Sequence, residues 1–140
     1  MKNYNFAFLA VLLFISTTVF AQDPTRFKGQ VEKIHQDNPI QENLNSIVFT
    51  GSSTIRMWKS LQEDFPQHNV INAGFGGSQA SDLLYYIDEL ILDYKPTKVF
   101  IYEGDNDISS GKSTDEILMT FNLITSKIHE ALPETEIVII

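Results

Sequence analysis

The feature that most limits what this chain can fold into is a repeated change of hydrophobic period. Four short runs, residues 46–50, 69–72, 98–102 and 136–140, are dominated by β-branched and aromatic residues without helical spacing. Between them the spacing turns helical. Ile55, Trp58, Leu61 and Phe65 predict one helix over residues 55–65, and Leu83, Leu84, Ile87, Leu90 and Ile91 predict another over 81–94, closed by Lys95-Pro96. Ser113 and Glu116 form a capping-box pattern that opens a third, running to about Leu132 before Pro133. Strands and helices that alternate through short connections predict a parallel sheet with helices on both faces, an α/β architecture.

In such a sheet ligands bind beyond the carboxyl ends of the strands, at the topological switch point. Three loops are expected there: Gly51-Ser52-Ser53-Thr54, the glycine-rich stretch from Gly74 to Gln79, and the polar stretch from Glu103, read as loop as far as Lys112. Each has an ordinary reading. A serine or threonine after a strand commonly caps the next helix, glycines serve turn geometry, and a polar loop is commonly a solvated turn. Two nucleotide readings fail on the residues. A dinucleotide fingerprint needs glycine where Gln79 stands, and the first loop lacks the Gly-Lys-Ser/Thr of a phosphate loop. Asp105, Asp107, Ser109 and Glu116 match a calcium-loop spacing, but Ser110 occupies the glycine position and a strand precedes where a helix is required. Taken together, a serine, a glycine N–H and an asparagine amide converge on one rim. They supply a nucleophile and oxyanion donors, the parts needed for acyl transfer from an ester.

Three blocks carry a family resemblance: Gly51-Ser52-Ser53 after the first strand, Asn72-Ala73-Gly74-Phe75-Gly76-Gly77, and Gly104-Asp105-Asn106. In order and spacing they resemble the SGNH or GDSL-like hydrolases, from about Ile47 onward, and in the Gly-Gly turn the platelet-activating-factor-acetylhydrolase-like branch. The resemblance implies a flavodoxin-like three-layer α/β/α fold. It also implies Ser53 as nucleophile and oxyanion N–H, Gly77 as a second oxyanion donor and Asn106 as the side-chain donor, with no cofactor and no metal. Two departures stand out. Ser52 replaces the aspartate usual before the nucleophile, and the family's fifth strand and Asp-x-x-His segment are not in this sequence. His35, His68 and His129 are all expected away from the strand ends, which makes none of them the base.

The expected organisation is a signal peptide over residues 1–21, a helical leader over 22–45 with a helix near 25–36, and an incomplete hydrolase domain over 46–140. Lys2, an apolar run from Phe6 to Val19, and Val19 and Ala21 at the −3 and −1 positions predict cleavage after Ala21 and export to a periplasmic or extracellular site. No stable membrane anchor is expected after cleavage. The chain has 140 residues, no cysteine and a net charge of −8, so a disulfide framework and a cysteine nucleophile are out, and nucleic acid is disfavoured as a partner. The expected substrate is a small acyl ester, on a carbohydrate or a short-chain lipid. The competing reading is a non-catalytic binder of acylated carbohydrate, with Trp58, Tyr85 and Tyr86 as contact aromatics, or an inactive fragment. The four-stranded sheet is expected to leave an apolar edge at residues 137–140. Oligomeric state is not legible.

Overall fold

The computed structural model describes residues 23–140; the segment 1–21 expected to be a signal peptide lies outside them. A 3-10 turn, Pro24–Phe27, leads into α1 (Lys28–Asp37). The remaining elements are β1 (Ile47–Gly51), α2 (Ser53–Arg56), α3 (Leu61–Asp64), β2 (Val70–Gly74), α4 (Ala80–Tyr85), α5 (Ile87–Leu90), β3 (Lys98–Tyr102), α6 (Asp105–Ser109), α7 (Thr114–Ala131) and β4 (Glu136–Ile139). The strands form one parallel sheet in the order β2-β1-β3-β4. Chain order reverses at β1, so the switch point lies between the carboxyl ends of β1 and β3.

Side chains alternate across this sheet and divide the core in two. Val48, Ile71, Ala73, Val99 and Ile101 face α1, α4, α5 and α7, with Phe75, Leu83, Ile87, Ile124 and Ile128 filling the space between. The opposite face carries a smaller cluster around Phe49, Ile55, Leu61 and Val70, against which Trp58, Phe65 and Phe100 pack. Phe49 and Phe100 stack there with centroids 4.4 Å apart. The two-sided helix cover expected from the apolar runs is therefore present. It is thinner on the α2–α3 face, where Phe100 and Tyr102 remain partly exposed. Four strands and the 18-residue helix α7 fall where the sequence predicts them, and the Ser113–Glu116 capping box is formed in both directions.

Two of the expected helices are broken. The helix predicted over 55–65 splits into α2 and α3 because the Asn72 amide donates to the Ile55 carbonyl at 2.7 Å and the Trp58 carbonyl at 3.1 Å, acceptors that a continuous helix would use itself. The helix predicted over 81–94 changes direction at Tyr86 and again at Ile91, then tightens into a 3-10 turn, Leu92–Tyr94. It stops where Lys95 adopts φ +47 before Pro96, which disfavours the α region for its neighbour. A third difference is α6, a short helix inside the stretch 103–112 read as loop. No helix among the described residues is long and apolar enough to cross a membrane.

Candidate active site

β1 ends at Gly51 with φ +125, and any side chain there would place its Cβ 1.9 Å from the Tyr102 carbonyl oxygen of β3. Only glycine lets the two strands run this close and then turn. The Ser52 N–H donates to that same Tyr102 oxygen at 3.0 Å, which buries Ser52 and turns Ser53 outward as the first residue of α2. Ser52 stands at the N-cap position, yet its side chain makes no cap hydrogen bond. The ordinary capping explanation for this serine pair therefore does not describe them. The half-exposed Ser53 hydroxyl makes no hydrogen bond among the described residues. As a helix-start group its N–H also lacks an intrahelical partner.

The second loop is tied to the first: the Phe75 N–H donates to the Gly51 carbonyl at 2.8 Å. Phe75 itself is fully buried between Phe27 and Tyr86, ring centroids 5.1 and 6.4 Å away, and so pegs the loop into the larger core. Gly76 then donates its N–H to Gln30 Oε1 at 2.9 Å, and Arg26 Nη2 donates to the Gly77 carbonyl at 3.3 Å. Gly77 has φ +82, and its N–H has no hydrogen-bond partner among the described residues. Two residues of the polar leader thus orient the Gly76–Gly77 segment, a role that nothing in their sequence neighbourhood signals.

The third loop is laced to the second. Asn106 Nδ2 donates to the Ser78 carbonyl at 2.8 Å, which commits one of its two protons. Gln79 Nε2 reaches back to the Asn106 carbonyl at 3.3 Å and to Ser110 Oγ at 2.7 Å. Asp107, fully buried, accepts from the Ala80 N–H at 2.9 Å and from Lys112 Nζ at 2.8 Å. Three of the four groups that fit a calcium spacing turn to separate partners: Asp105 to the Tyr102 hydroxyl, Asp107 to Lys112 and Ala80, Glu116 to Ser113. Hydrogen bonding by Ser113 holds the Glu116 carboxyl below its usual range.

Glu103, at the end of β3, has a role that the sequence alone does not reveal. It is 9% exposed, with Oε1 2.5 Å from Ser78 Oγ and Oε2 buried without a partner among the described residues. Burial pushes its carboxyl up to about 8, against the opposing hydrogen bond from Ser78, and the charges of Asp107, Asp82 and Asp105 push the same way. The geometry agrees. Ser78 Oγ also lies 3.0 Å from the Phe75 carbonyl, which can only accept. One hydroxyl proton cannot serve both oxygens well, whereas a protonated Glu103 donates to Ser78 and frees Ser78 to donate to Phe75.

Ser53, Gly77 and Asn106 therefore come from three loops linked by backbone and side-chain hydrogen bonds on one rim of the sheet. All three histidines lie toward the other end. His35 Nε2 is 2.8 Å from the Glu89 carbonyl with its ring against Tyr94, His68 precedes β2, and His129 is in the last turn of α7. Of the candidate contact aromatics, Tyr86 is buried against Phe75 and Trp58 packs among Phe49 and Phe65, donating to Asp64 at 2.5 Å. Both serve the core, which leaves Tyr85 exposed. A cavity of about 780 Å³ lies between α1, α2–α3 and the free edge of β2. Its lining includes Arg56 and Gly74 but not Ser53, Gly77 or Asn106.

No family model and no curated protein matches this sequence. Solved structures do match. A protein from Streptococcus pneumonia, provisionally described as a platelet activating factor, superposes with a TM-score of 0.72 at 26% identity, over 82% of this chain and 54% of its own. A GDSL-like lipase from Bacteroides thetaiotaomicron gives 0.63 at 17% identity, over 84% of this chain and 57% of its own. An acetyl xylan esterase from Geobacillus stearothermophilus gives 0.54 at 18%, over 68% and 58%. The chain thus spans rather more than half the length of each. In its fold, this chain is similar to the SGNH/GDSL-like hydrolases.

Proposed function

We propose that the chain carries the nucleophile and oxyanion hole of a serine acylhydrolase acting on small acyl esters, such as carbohydrate acetyl or short-chain lipid esters. The observation that carries this reading is the rim itself. A Ser53 hydroxyl and a Gly77 N–H, both without partners among the described residues, stand with the second amide proton of Asn106 at the switch point of a parallel sheet. The lipases, acylhydrolases and esterases among the structural neighbours support the same class.

In this reading Ser53 Oγ attacks the ester carbonyl carbon and loses its proton to a histidine held by an aspartate. Both would be supplied from outside residues 1–140, since His35, His68 and His129 sit at the wrong end of the strands. The tetrahedral oxyanion accepts from the Ser53 N–H, the Gly77 N–H and the Asn106 amide. The alcohol then leaves with the proton, and water hydrolyses the Ser53 ester to regenerate the hydroxyl. Export by a signal peptide at residues 1–21 would place the reaction outside the cytoplasm, with no membrane anchor retained.

The test is steady-state hydrolysis of 4-nitrophenyl acetate by the full-length protein. Asn106→Ala should lower kcat by about 10² to 10³, the usual loss for one oxyanion donor. Turnover undiminished in Ser53→Ala would refute the mechanism. Saturable binding of acetylated sugar without any turnover would favour the non-catalytic reading instead.

A further inference from the structure

We propose that Arg56, which shares its groove with Lys59, forms an anion-binding subsite next to the Gly76–Gly77 loop. The preferred esters then carry a carboxylate or phosphate on their alcohol half. This deepens the acylhydrolase reading above and rests on it.

The 780 Å³ cavity at the β2 edge extends from Pro39 and Glu42, near the amino ends of the strands, up to Arg56 and Gly74 at the active rim. Most polar groups along it are already spent. Asn38, Asn43, Gln62 and Asn72 donate their amide protons to backbone carbonyls, and Lys33 is paired with Asp37. Arg56 and Lys59 have no ion pair and no side-chain hydrogen bond among the described residues. These two unneutralised cations line one groove, in a chain of net charge −8.

Arg56 is also held in place. Its side chain lies across Gly76, where an added Cβ would come within 2.5 Å of Nε and 2.9 Å of Nη2. The missing side chain at Gly76 is the slot that the guanidinium occupies, one residue before the Gly77 N–H. Arg56 also follows Ser53 by one helical turn on α2. A group leaving from an acyl carbon on Ser53 would depart beside this fork of donors, and a planar fork suits bidentate capture of carboxylate or phosphate. Arg26, on the other side of the same loop, is already committed to the Gly77 carbonyl and to Asp82 at 3.6 Å, and does not compete.

The experiment compares a matched pair, 4-acetoxybenzoate and neutral 4-acetoxybenzamide, on the full-length protein. The expected result is about tenfold higher kcat/KM for the anionic ester. The preference should shrink in 0.5 M salt by screening. Arg56→Gln should abolish it by raising KM for the anionic ester far more than for the neutral one, and Arg56→Lys should restore part of it. Equal losses on both esters in Arg56→Gln would make Arg56 a support for the loop and overturn the subsite, as would equal rates in the wild type. If neither ester turns over, the acylhydrolase reading fails on its own. Calorimetry with 4-hydroxybenzoate then decides the subsite: binding abolished by Arg56→Gln supports it, and no binding refutes it. Inhibition by glucuronate or by glycerol phosphate separates an acidic sugar from a phospholipid headgroup.

Discussion

Replacing Glu103 by glutamine should flatten the dependence of stability on pH. Burial raises the folded-state carboxyl to about 8 from an ordinary value of 4.5. A group raised in this way binds its proton more tightly in the folded chain. Its contribution to stability is fully present below about pH 4.5, declines as pH rises, and is lost above about pH 8. With each pKa unit worth about 1.4 kcal/mol, the loss across that window is roughly 3–5 kcal/mol, the lower figure allowing for relaxation and water entry. That is a large part of the net stability of an ordinary domain, about 5–15 kcal/mol. Glutamine keeps the shape and can donate to Ser78 Oγ as the protonated acid does, but it does not titrate. Urea denaturation at pH 5, 7 and 8.5 reads the effect directly. The two proteins should be similar at pH 5, and the variant should be the more stable by a few kcal/mol at pH 8.5. Parallel losses in both proteins would show that Glu103 is not the titrating group and that the neutral Glu103–Ser78–Phe75 chain is wrong.

Gly51→Ala should be among the most damaging single substitutions, because its methyl would meet the Tyr102 carbonyl at 1.9 Å and its φ is +125. A loss above about 3 kcal/mol, or failure to accumulate as soluble protein, is expected in thermal melts. Arg26→Ala removes a bond from the leader to the Gly77 carbonyl and should lower kcat about tenfold with little change in KM, as expected for a loosened oxyanion donor. An unchanged kcat would detach the leader from the site. Ile139, 52% exposed on the free edge strand β4, should drive self-association of the 140-residue chain. Ile139→Lys should raise the monomer fraction in sedimentation velocity.

Hydrophobic period made the sheet legible: runs such as Lys98 to Tyr102 have no helical spacing and sit between strong stop signals. The rim could be located for the same reason, since the strand ends define it. The helix breaks were hidden because their cause is not local. Asn72 takes the Ile55 and Trp58 carbonyls from 17 and 14 residues away, and no window over residues 55–65 contains it. The leader read as a polar preface, yet Arg26 and Gln30 reach the glycine loop across 51 and 46 residues. Glu103 was one more oxygen in an acidic stretch until its depth between Ser78 and Asp107 was known, because charge is visible in a sequence and desolvation is not. Tyr86, a candidate contact aromatic only in the non-catalytic reading, is spent by the fold on Phe75, the core packing that such aromatics more often serve.

The most direct measurement of the central claim is peptide mapping by mass spectrometry after treating the full-length protein with an organofluorophosphonate. One phosphonyl adduct on Ser53, lost in Ser53→Ala, is the predicted result. A protein that stays unmodified, or one whose adduct falls on another serine, would contradict the assignment of Ser53 as the nucleophile.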